Sequence, residues 1–308
     1  MVSGYDIIGD IHGQADKLEA LLVKLGYKLG VGGFYAHPDR QVVFVGDFID
    51  RHPRQKATLD IVKNMIDGGS ALAVMGNHEF NGICFATEHP TTGHVRKHTS
   101  NNIRQHQSFL NEFPQHTEAY EEQISWFKTL PVYLDLKDIF VVHACWHPES
   151  LQTIDPYLNT DKTMKDHAYI DFAEYGTPFF KAIEMVLKGP EHRIPDDVAF
   201  YCKDGIRRDR ARVSWWVDES LPTFDRLQHR QKNVADTEIA SLNTTSIAHQ
   251  FNKPAHPVFI GHYWMSGTPA PLTDKIACVD YSAAAKKGLL TAYRWSGESI
   301  LTPDHFTW

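Results

Sequence analysis

Five short, mostly apolar runs divide the chain, and each of them stops at a glycine or a polar residue. They occupy residues 5–8, 42–45, 72–75, 139–142 and 258–260. Runs of about four apolar residues are typical of strands that are buried on both faces of a sheet. Side chains that follow such strands converge on one crevice at the carboxyl edge of an α/β sheet. The pattern therefore predicts a site that is assembled from strand ends.

Apolar residues between the first three runs recur at helical spacing. The two sets are Leu18, Leu21, Leu22 and Leu25, and Leu59, Val62 and Ile66. Each set lies on one face of a helix, and glycines at Gly26 and Gly68 mark the ends. Strands that alternate with helices over short links predict βαβ units, a parallel sheet and an α/β fold for residues 1 to about 80.

The rest of the chain gives fewer patterns. Residues 81–138 are predicted to be helical and polar, with one helix face formed by Tyr120, Ile124, Phe127 and Leu130. Residues 147–250 have the character of an insertion, which contains a helix through Phe179, Ile183, Val186 and Leu187. Residues 275–279 and 289–295 predict an antiparallel pair of strands. Because no repeat or low-complexity linker interrupts the chain, we expect one domain over residues 1–308, with a substrate-side insertion at about 147–250.

Composition excludes several classes of protein. A net charge of −7 argues against general binding of nucleic acid or of a membrane surface, since both need a basic face. No apolar stretch approaches the length of a membrane span, and the first strand leaves no room for a signal peptide. The four cysteines form no CxxC pair. A reduced, cytoplasmic setting is therefore predicted.

The residues that follow the five runs are those that bind metal ions. They are Asp10, His12, Asp47, Asn77, His143 and His262. Asp47 is the natural bridge, because one carboxylate can give an oxygen to each of two ions about 3.5–4 Å apart. Asp10 and His12 would complete one shell, and Asn77, His143 and His262 the other. Oxygen and imidazole ligands favour manganese, with iron or zinc as alternatives.

The charge of such a centre suits a reaction on phosphate. Two divalent ions contribute a charge of about +4, whereas Asp10, Asp47 and a bridging hydroxide together contribute a charge of about −3. A site that stays positive attracts a phosphoryl group and lowers the pKa of bound water enough to form a nucleophile near neutrality. The sequence therefore predicts hydrolysis of a phosphoric ester by direct attack of the bridging hydroxide on phosphorus.

The motifs resemble those of the calcineurin-like metallophosphoesterases, especially the branch of serine/threonine phosphoprotein phosphatases and diadenosine tetraphosphatases. They are GDIHG at 9–13, GDFIDR at 46–51, GNHE at 76–79, VHA at 142–144 and GH at 261–262. The resemblance implies a four-layer α/β/β/α sandwich of two mixed sheets. It also implies that His78 protonates the leaving oxygen, that Asp50 orients its imidazole, and that Arg51 binds the phosphoryl oxygens.

The chain departs from this family at two positions. The family usually has glycine after the Asp-Arg pair, whereas here His52 follows Arg51. Position 264 is tryptophan, whereas phosphodiester branches commonly have a second histidine there. The first ion should then have one fewer protein ligand, which favours the phosphatase and polyphosphatase branch.

The sequence does not define how the substrate is bound. Arg207, Arg208 and Arg212 are candidates for a phosphate clamp, and a solvated loop paired with Asp204 and Asp209 is the competing interpretation. We expect Trp215 and Trp216 to belong to the core rather than to form a platform on which a nucleotide base stacks. Five further histidines are assigned to the surface or to the surroundings of the metal ligands, namely His89, His94, His98, His106 and His147.

Three functions are compatible with these residues. The first is a phosphatase, the second a hydrolase of the phosphoanhydride in a diadenosine polyphosphate, and the third a catalytically silent metal-binding scaffold. The expected partner is a phosphorylated small molecule, a nucleotide or a phosphoprotein, and neither nucleic acid nor a membrane is expected. The oligomeric state is not specified by the sequence.

Overall fold

The computed structural model describes residues 2–198, 207–228, 235–247, 251 and 253–308 of the chain. In chain order its strands are β1 (Gly4–Ile8), β2 (Lys28–Leu29), β3 (Tyr35–Ala36), β4 (Arg40–Phe44), β5 (Ala71–Ala73), β6 (Glu88–His89), β7 (Gly93–His94), β8 (Tyr133–Asp135), β9 (Phe140–Val142), β10 (Glu191–Arg193), β11 (Arg210–Arg212), β12 (Val258–Ile260), β13 (Ile276–Cys278), β14 (Asp280–Tyr281), β15 (Leu289–Leu290), β16 (Ala292–Trp295) and β17 (Phe306–Thr307).

The helices follow the same order. They are α1 (Ala15–Lys24), α2 (Gln55–Asp67), α3 (Asn77–Ala86), α4 (Ser100–Glu112), α5 (Glu118–Phe127), α6 (Pro148–Ile154), α7 (Asp166–Asp171), α8 (Pro178–Lys188), α9 (Thr223–Arg226) and α10 (Asp236–Asn243). Single 3-10 turns cover Asp155–Tyr157 and Pro303–His305. Within the described residues, no helix has the length and apolar character that a bilayer crossing requires.

The first sheet has the strand order β17-β16-β1-β4-β5. Strands β1, β4 and β5 are parallel, and β16 and β17 extend the sheet with antiparallel pairing. Helices α1 and α2 provide the two crossovers, as the spacing predicts. In α2 the buried face contains Met65, whereas Ile66 is only half-buried. The βαβ units over residues 1–80 are therefore confirmed.

The second sheet has the order β13-β12-β9-β8. Strands β9, β12 and β13 are parallel, and β8 pairs with β9 in the antiparallel sense. Apolar side chains of the two sheets form one shared core, in which Ile7, Val43 and Val74 join Val141 and Phe259. All five are excluded from solvent. The α/β/β/α sandwich of two mixed sheets that the resemblance implies is confirmed.

The predicted antiparallel pairing of residues 275–279 with 289–295 is largely wrong. Strand β13 lies beside β12 in the second sheet, whereas β16 lies beside β1 in the first. Only the short β14 and β15 pair with each other. Both runs are apolar and buried, so each can join a different sheet, and hydrophobicity alone does not define a strand's partner.

Helices α5 and α8 lie where their apolar spacing predicts them. Tyr120, Ile124 and Phe127 are buried on one face of α5, and Leu130 is buried in the turn that follows. Phe179 and Ile183 are buried on α8. The segment 81–138 also contains the strands β6, β7 and β8, so the prediction that it is helical holds only in part.

The chain divides into two compact units. One contains residues 1–187 and 254–308, and the other contains residues 188–253. The second unit has a core of its own, to which Ile194, Val213, Leu227 and Leu242 contribute. Helices α6 and α7 belong to the first unit. The interpretation of the chain as one domain with an insertion at 147–250 stays a prediction.

The strand ends of the first unit pack so closely that they exclude side chains. Gly46, two residues beyond the end of β4, has a φ of 94°, which is strained for any residue with a Cβ atom. A Cβ atom at Gly46 would also overlap the backbone of Gly76, which ends the segment after β5. Glycine at this point therefore allows the ends of two neighbouring strands to meet.

Replacing Gly46 by alanine tests this close approach. We expect Gly46→Ala to reduce the free energy of unfolding by roughly 3 kcal/mol or more, because strain and overlap with backbone act together. Gly33→Ala is the matched control, since Gly33 has a φ of 78° but no neighbour within 4 Å of the added atom. We expect it to lose only about 1 kcal/mol. Urea unfolding measures both, and equal losses would contradict the account.

Candidate metal centre

Asp10 and His12 lie just beyond the end of β1, in a buried turn. The Asp10 carboxylate accepts a hydrogen bond from the backbone N–H of His262, with 3.1 Å between Oδ2 and N. His12 Nδ1 donates to the carbonyl oxygen of Ile49 over 2.7 Å. Because a carbonyl only accepts, the proton of the neutral imidazole is on Nδ1 and the lone pair is on Nε2. Burial, followed by the charges of His78 and Arg51, lowers the pKa of His12 to about 3.

Asp47 lies between two sets of imidazoles. Its Oδ2 is 3.6 Å from His12 Nε2, and its Oδ1 is 3.4 Å from His143 Nε2. Burial alone would raise the pKa of this carboxyl, but His143, His78 and His12 hold it well below its ordinary value. Each carboxylate oxygen thus faces a different imidazole nitrogen, and a carboxylate placed in this way could give one oxygen to each of two metal ions.

Asn77, His143 and His262 meet on the second side of Asp47. The Asn77 Oδ1 atom is 3.1 Å from His143 Nε2 and 2.7 Å from His262 Nδ1. His143 Nδ1 donates to the carbonyl oxygen of Val45, so its Nε2 faces only the oxygens of Asp47 and Asn77. That nitrogen needs a proton or a cation between itself and those oxygens. A metal ion meets this need directly.

Two clusters of ligand atoms result, and they share Asp47. We call His12, Asp47 and His78 the first cluster, and Asp47, His143 and His262 the second cluster. Within each cluster the ligand atoms lie within 4.8 Å of one another. The division into two sets that share Asp47 agrees with the sequence analysis. The first cluster, however, contains His78 where Asp10 was expected.

Buried carboxylates surround the two clusters and repel one another. Burial, then Asp280 and Asp47, raise the pKa of Asp10 well above its ordinary value. Burial and Asp47 likewise raise the pKa of Glu79 to about 7. Carboxyl groups collected away from water in this way are neutralised either by protons or by bound cations. Carboxylate, amide and imidazole donors suit divalent manganese, iron or zinc, so the residues present fit a dinuclear centre.

Sequence reasoning assigned no role to Glu79. Its Oε2 accepts hydrogen bonds from the backbone N–H groups of Asp47 and Gly76 at 2.8 and 3.0 Å, and its Oε1 accepts from Phe48 N at 2.8 Å. Glu79 therefore fixes the turn that carries Asp47 against the start of α3. A glutamate at the third position of a helix is a capping signal, and that signal could have identified it.

Asp280 was also missed. It is the buried first residue of β14, just beyond β13, and its oxygens accept hydrogen bonds from the backbone N–H groups of Trp264 and Ser282 at 2.7 and 2.8 Å. Burial raises the pKa of Asp280, and Asp47 adds to the effect. It follows a strand in the same way as the predicted ligands, but an Asp-Tyr-Ser sequence has no motif that distinguishes it.

His78 and Asp50 pair as the resemblance implies. His78 Nδ1 donates to Asp50 Oδ2 over 2.5 Å, and His78 Nε2 is 3.9 Å from Asp47 Oδ2. The other Asp50 oxygen accepts from His106 Nδ1 at 2.8 Å. Burial alone would raise the pKa of Asp50, but His106 and His78 hold it below its ordinary value. The sequence analysis allowed His106 to lie either on the surface or near the metal ligands. Because His106 is buried, the surface location is wrong.

Arg51 lies at the exposed edge of the first cluster. Its Nε donates to His12 Nε2 at 3.1 Å, and one terminal nitrogen is 3.5 Å from His78 Nε2. The guanidinium carbon is 4.1 Å from the ring centre of Trp264, which is close enough for a cation–π interaction. Trp264, at the position where phosphodiester branches commonly have a second histidine, therefore contacts Arg51, the candidate for binding phosphate.

The histidine that follows Arg51 is accommodated without strain. The residues with positive φ in this turn are Asp50 and Arg51, at 70° and 66°, whereas His52 is not among them. His52 Nδ1 donates to the carbonyl oxygen of Pro53 at 2.9 Å. The conformational freedom of glycine is therefore not needed at this position.

The arginine candidates belong to the second unit. Arg207 donates to the carbonyl oxygen of Asp196 at 2.8 Å, Arg208 is exposed, and Arg212 ends β11. Asp204 lies outside the described residues. Trp215 is buried, in agreement with a core role, and Trp216 is half-buried. Substrate binding by Arg207, Arg208 or Arg212 stays a prediction.

Known proteins resemble this chain in sequence. A bis(5'-nucleosyl)-tetraphosphatase PrpE of Oceanobacillus iheyensis is 35% identical over 151 residues, which are 45% of this chain and 54% of that protein. The PrpE of Halalkalibacterium halodurans is 45% identical over 75 residues, or 24% of this chain and 30% of that protein. The chain thus matches about half or less of the length of these relatives.

A solved structure described as a putative diadenosine tetraphosphatase has 17% identity and a TM-score of 0.47, and the match covers 98% of this chain and 93% of that one. The family model described as calcineurin-like phosphoesterase matches residues 5–178, more than half of the chain. Because that match spans the strand ends from Asp10 to His143, the chain belongs to the calcineurin-like phosphoesterase family.

Proposed function

We propose that the chain is a dinuclear metal-dependent hydrolase of phosphoric esters. The observation that carries the proposal is the position of Asp47, with one oxygen facing His12 and the other facing His143 at 3.6 and 3.4 Å. Two divalent ions held there would supply an activated water and neutralise charge on the phosphoryl group. The family match supports the same reaction class.

The chain's own residues would handle the leaving group and the phosphate. His78 is the proton donor, because its Nδ1 is held by Asp50 and its Nε2 points toward the Asp47 side of the site. Arg51 binds the phosphoryl oxygens, since its guanidinium lies at the exposed edge beside His78 and presents planar donors. Trp264 keeps that guanidinium beside the site.

We propose manganese as the native ion, with iron or zinc as alternatives, because the donors are oxygens and imidazoles. A cytoplasmic location is proposed from the scattered cysteines of the sequence. The candidate substrates are a phosphorylated small molecule, a nucleotide or a phosphoprotein. A silent scaffold is disfavoured, because the proposed proton donor His78 and the bridging Asp47 are both retained.

The second candidate is a hydrolase of diadenosine polyphosphates. It is favoured by the name of the relatives from Oceanobacillus iheyensis and Halalkalibacterium halodurans, which are bis(5'-nucleosyl)-tetraphosphatases. A centre of this kind acts on the phosphoryl group in both reactions, so the ligands do not distinguish an ester from an anhydride. Selection between them depends on residues that contact the rest of the substrate.

Replacing His78 separates proton donation from metal binding. We expect His78→Ala to reduce turnover of phenyl phosphate by about 10²–10⁴-fold, because the leaving oxygen is no longer protonated. Metal content, measured by elemental analysis, should stay at the wild-type value. Asp47→Asn is the control, and it should lose metal as well as turnover. If His78→Ala also loses an ion, His78 is a ligand of the first cluster instead.

A substrate panel decides between the two candidate functions. Protein that has been stripped of metal and reloaded with manganese, iron or zinc is offered diadenosine tetraphosphate, phosphopeptides and p-nitrophenyl phosphate. We expect phosphate release from the monoesters, with the highest rate for manganese. A kcat/KM for diadenosine tetraphosphate that exceeds all monoesters by 100-fold would establish the second candidate. Absence of turnover on the whole panel with every ion would contradict both.

A further inference from the structure

Asp50 is held between two imidazoles. His78 Nδ1 lies 2.5 Å from one carboxylate oxygen, and His106 Nδ1 lies 2.8 Å from the other. A carboxylate only accepts hydrogen bonds, so each Nδ1 carries a proton. The bond from His106 thereby occupies one oxygen and leaves the other for His78. Rotation of the carboxyl group would break both bonds.

The backbone of Asp50 is fixed as well. Its N–H donates to Gln55 Oε1 at 2.8 Å, and its φ of 70° is uncommon for an aspartate. Gln55 begins α2 and is completely buried. With the backbone set by Gln55, the remaining freedom of Asp50 is the rotation of its side chain, and His106 restricts it.

Apart from the bond to Asp50, the contacts of His106 do not require a histidine. It is 5% exposed, and it is buried on α4 together with Phe109, whose ring stacks on it with centres 4.8 Å apart. Among the residues that the structure describes, none forms a hydrogen bond with its Nε2. An apolar residue would pack on Phe109 equally well and would avoid the cost of burying a polar ring. The bond to Asp50 is the interaction that requires a histidine there.

We propose that His106 is a positioning residue, which orients Asp50 and thereby holds His78 for protonation of the leaving group. The proposal rests on the function proposed above for His78. It has a specific consequence, because a leaving group of low pKa departs without a proton. Loss of His106 should therefore slow the reaction in proportion to the pKa of the leaving group, whereas a general loss of structure slows all substrates alike.

The test uses manganese-loaded full-length protein with phenyl phosphate, p-nitrophenyl phosphate and 2,4-dinitrophenyl phosphate. For His106→Ala we expect kcat on phenyl phosphate to fall by about 10–100-fold, and kcat on the dinitrophenyl ester by less than about threefold. His106→Asn should restore most of the rate, because its amide nitrogen replaces Nδ1 as the donor. His98→Ala is the matched control, since His98 is a neighbouring histidine that bonds to the carbonyl oxygen of Phe85.

The control variant should leave all three rates near wild type. An equal loss on the three esters, or no rescue by His106→Asn, would overturn the proposal and make His106 structural. Proton NMR of histidine-labelled protein loaded with diamagnetic zinc instead of manganese gives a second readout that does not need turnover. We expect the downfield N–H signal of His78 to disappear in His106→Ala and to persist in His106→Asn.

If the signal persists in both variants, His106 does not position Asp50. A wild-type protein that releases no phosphate from any of the three esters would contradict the proposed function alone, and the NMR result would still decide the role of His106.

Discussion

The site depends on one shared carboxylate. Asp47 follows β4 at a backbone φ of 54°, and its two oxygens face imidazoles that come from different parts of the chain. His12 arrives from the end of β1, in the first sheet, whereas His143 arrives from the end of β9, in the second. The shared carboxylate is therefore also the point at which the two sheets contribute to one centre.

Several other features serve to hold this carboxylate in place. Glu79 accepts hydrogen bonds from the backbone of Asp47 and from Gly76, and His78 N donates to Asp47 Oδ1 at 2.9 Å. Gly46 and Gly76 allow the strand ends to approach more closely than side chains would permit. The raised pKa values of Asp10, Glu79 and Asp280 are the electrostatic consequence of collecting carboxyl groups away from water. Bound cations would relieve that repulsion.

Much of this could be predicted from the sequence, because buried strands and the residues that follow them are local features. The five runs at residues 5–8, 42–45, 72–75, 139–142 and 258–260 each overlap a strand of one of the two sheets. The partners that were missed depend on contacts between distant residues. His106 and Asp50 are 56 positions apart, and Asp47 and Glu79 are 32 apart. The tail strands were paired wrongly for the same reason, since burial does not identify a neighbour.

The central claim is that Asp47 bridges two ions, and electron paramagnetic resonance of the manganese-loaded wild-type protein tests it most directly. Two ions about 3.5–4 Å apart that share a carboxylate are coupled through that bridge. The account predicts two manganese ions per chain and a spin-coupled multiline spectrum. Two ions with the six-line spectrum of isolated manganese, or a single ion per chain at saturation, would contradict it.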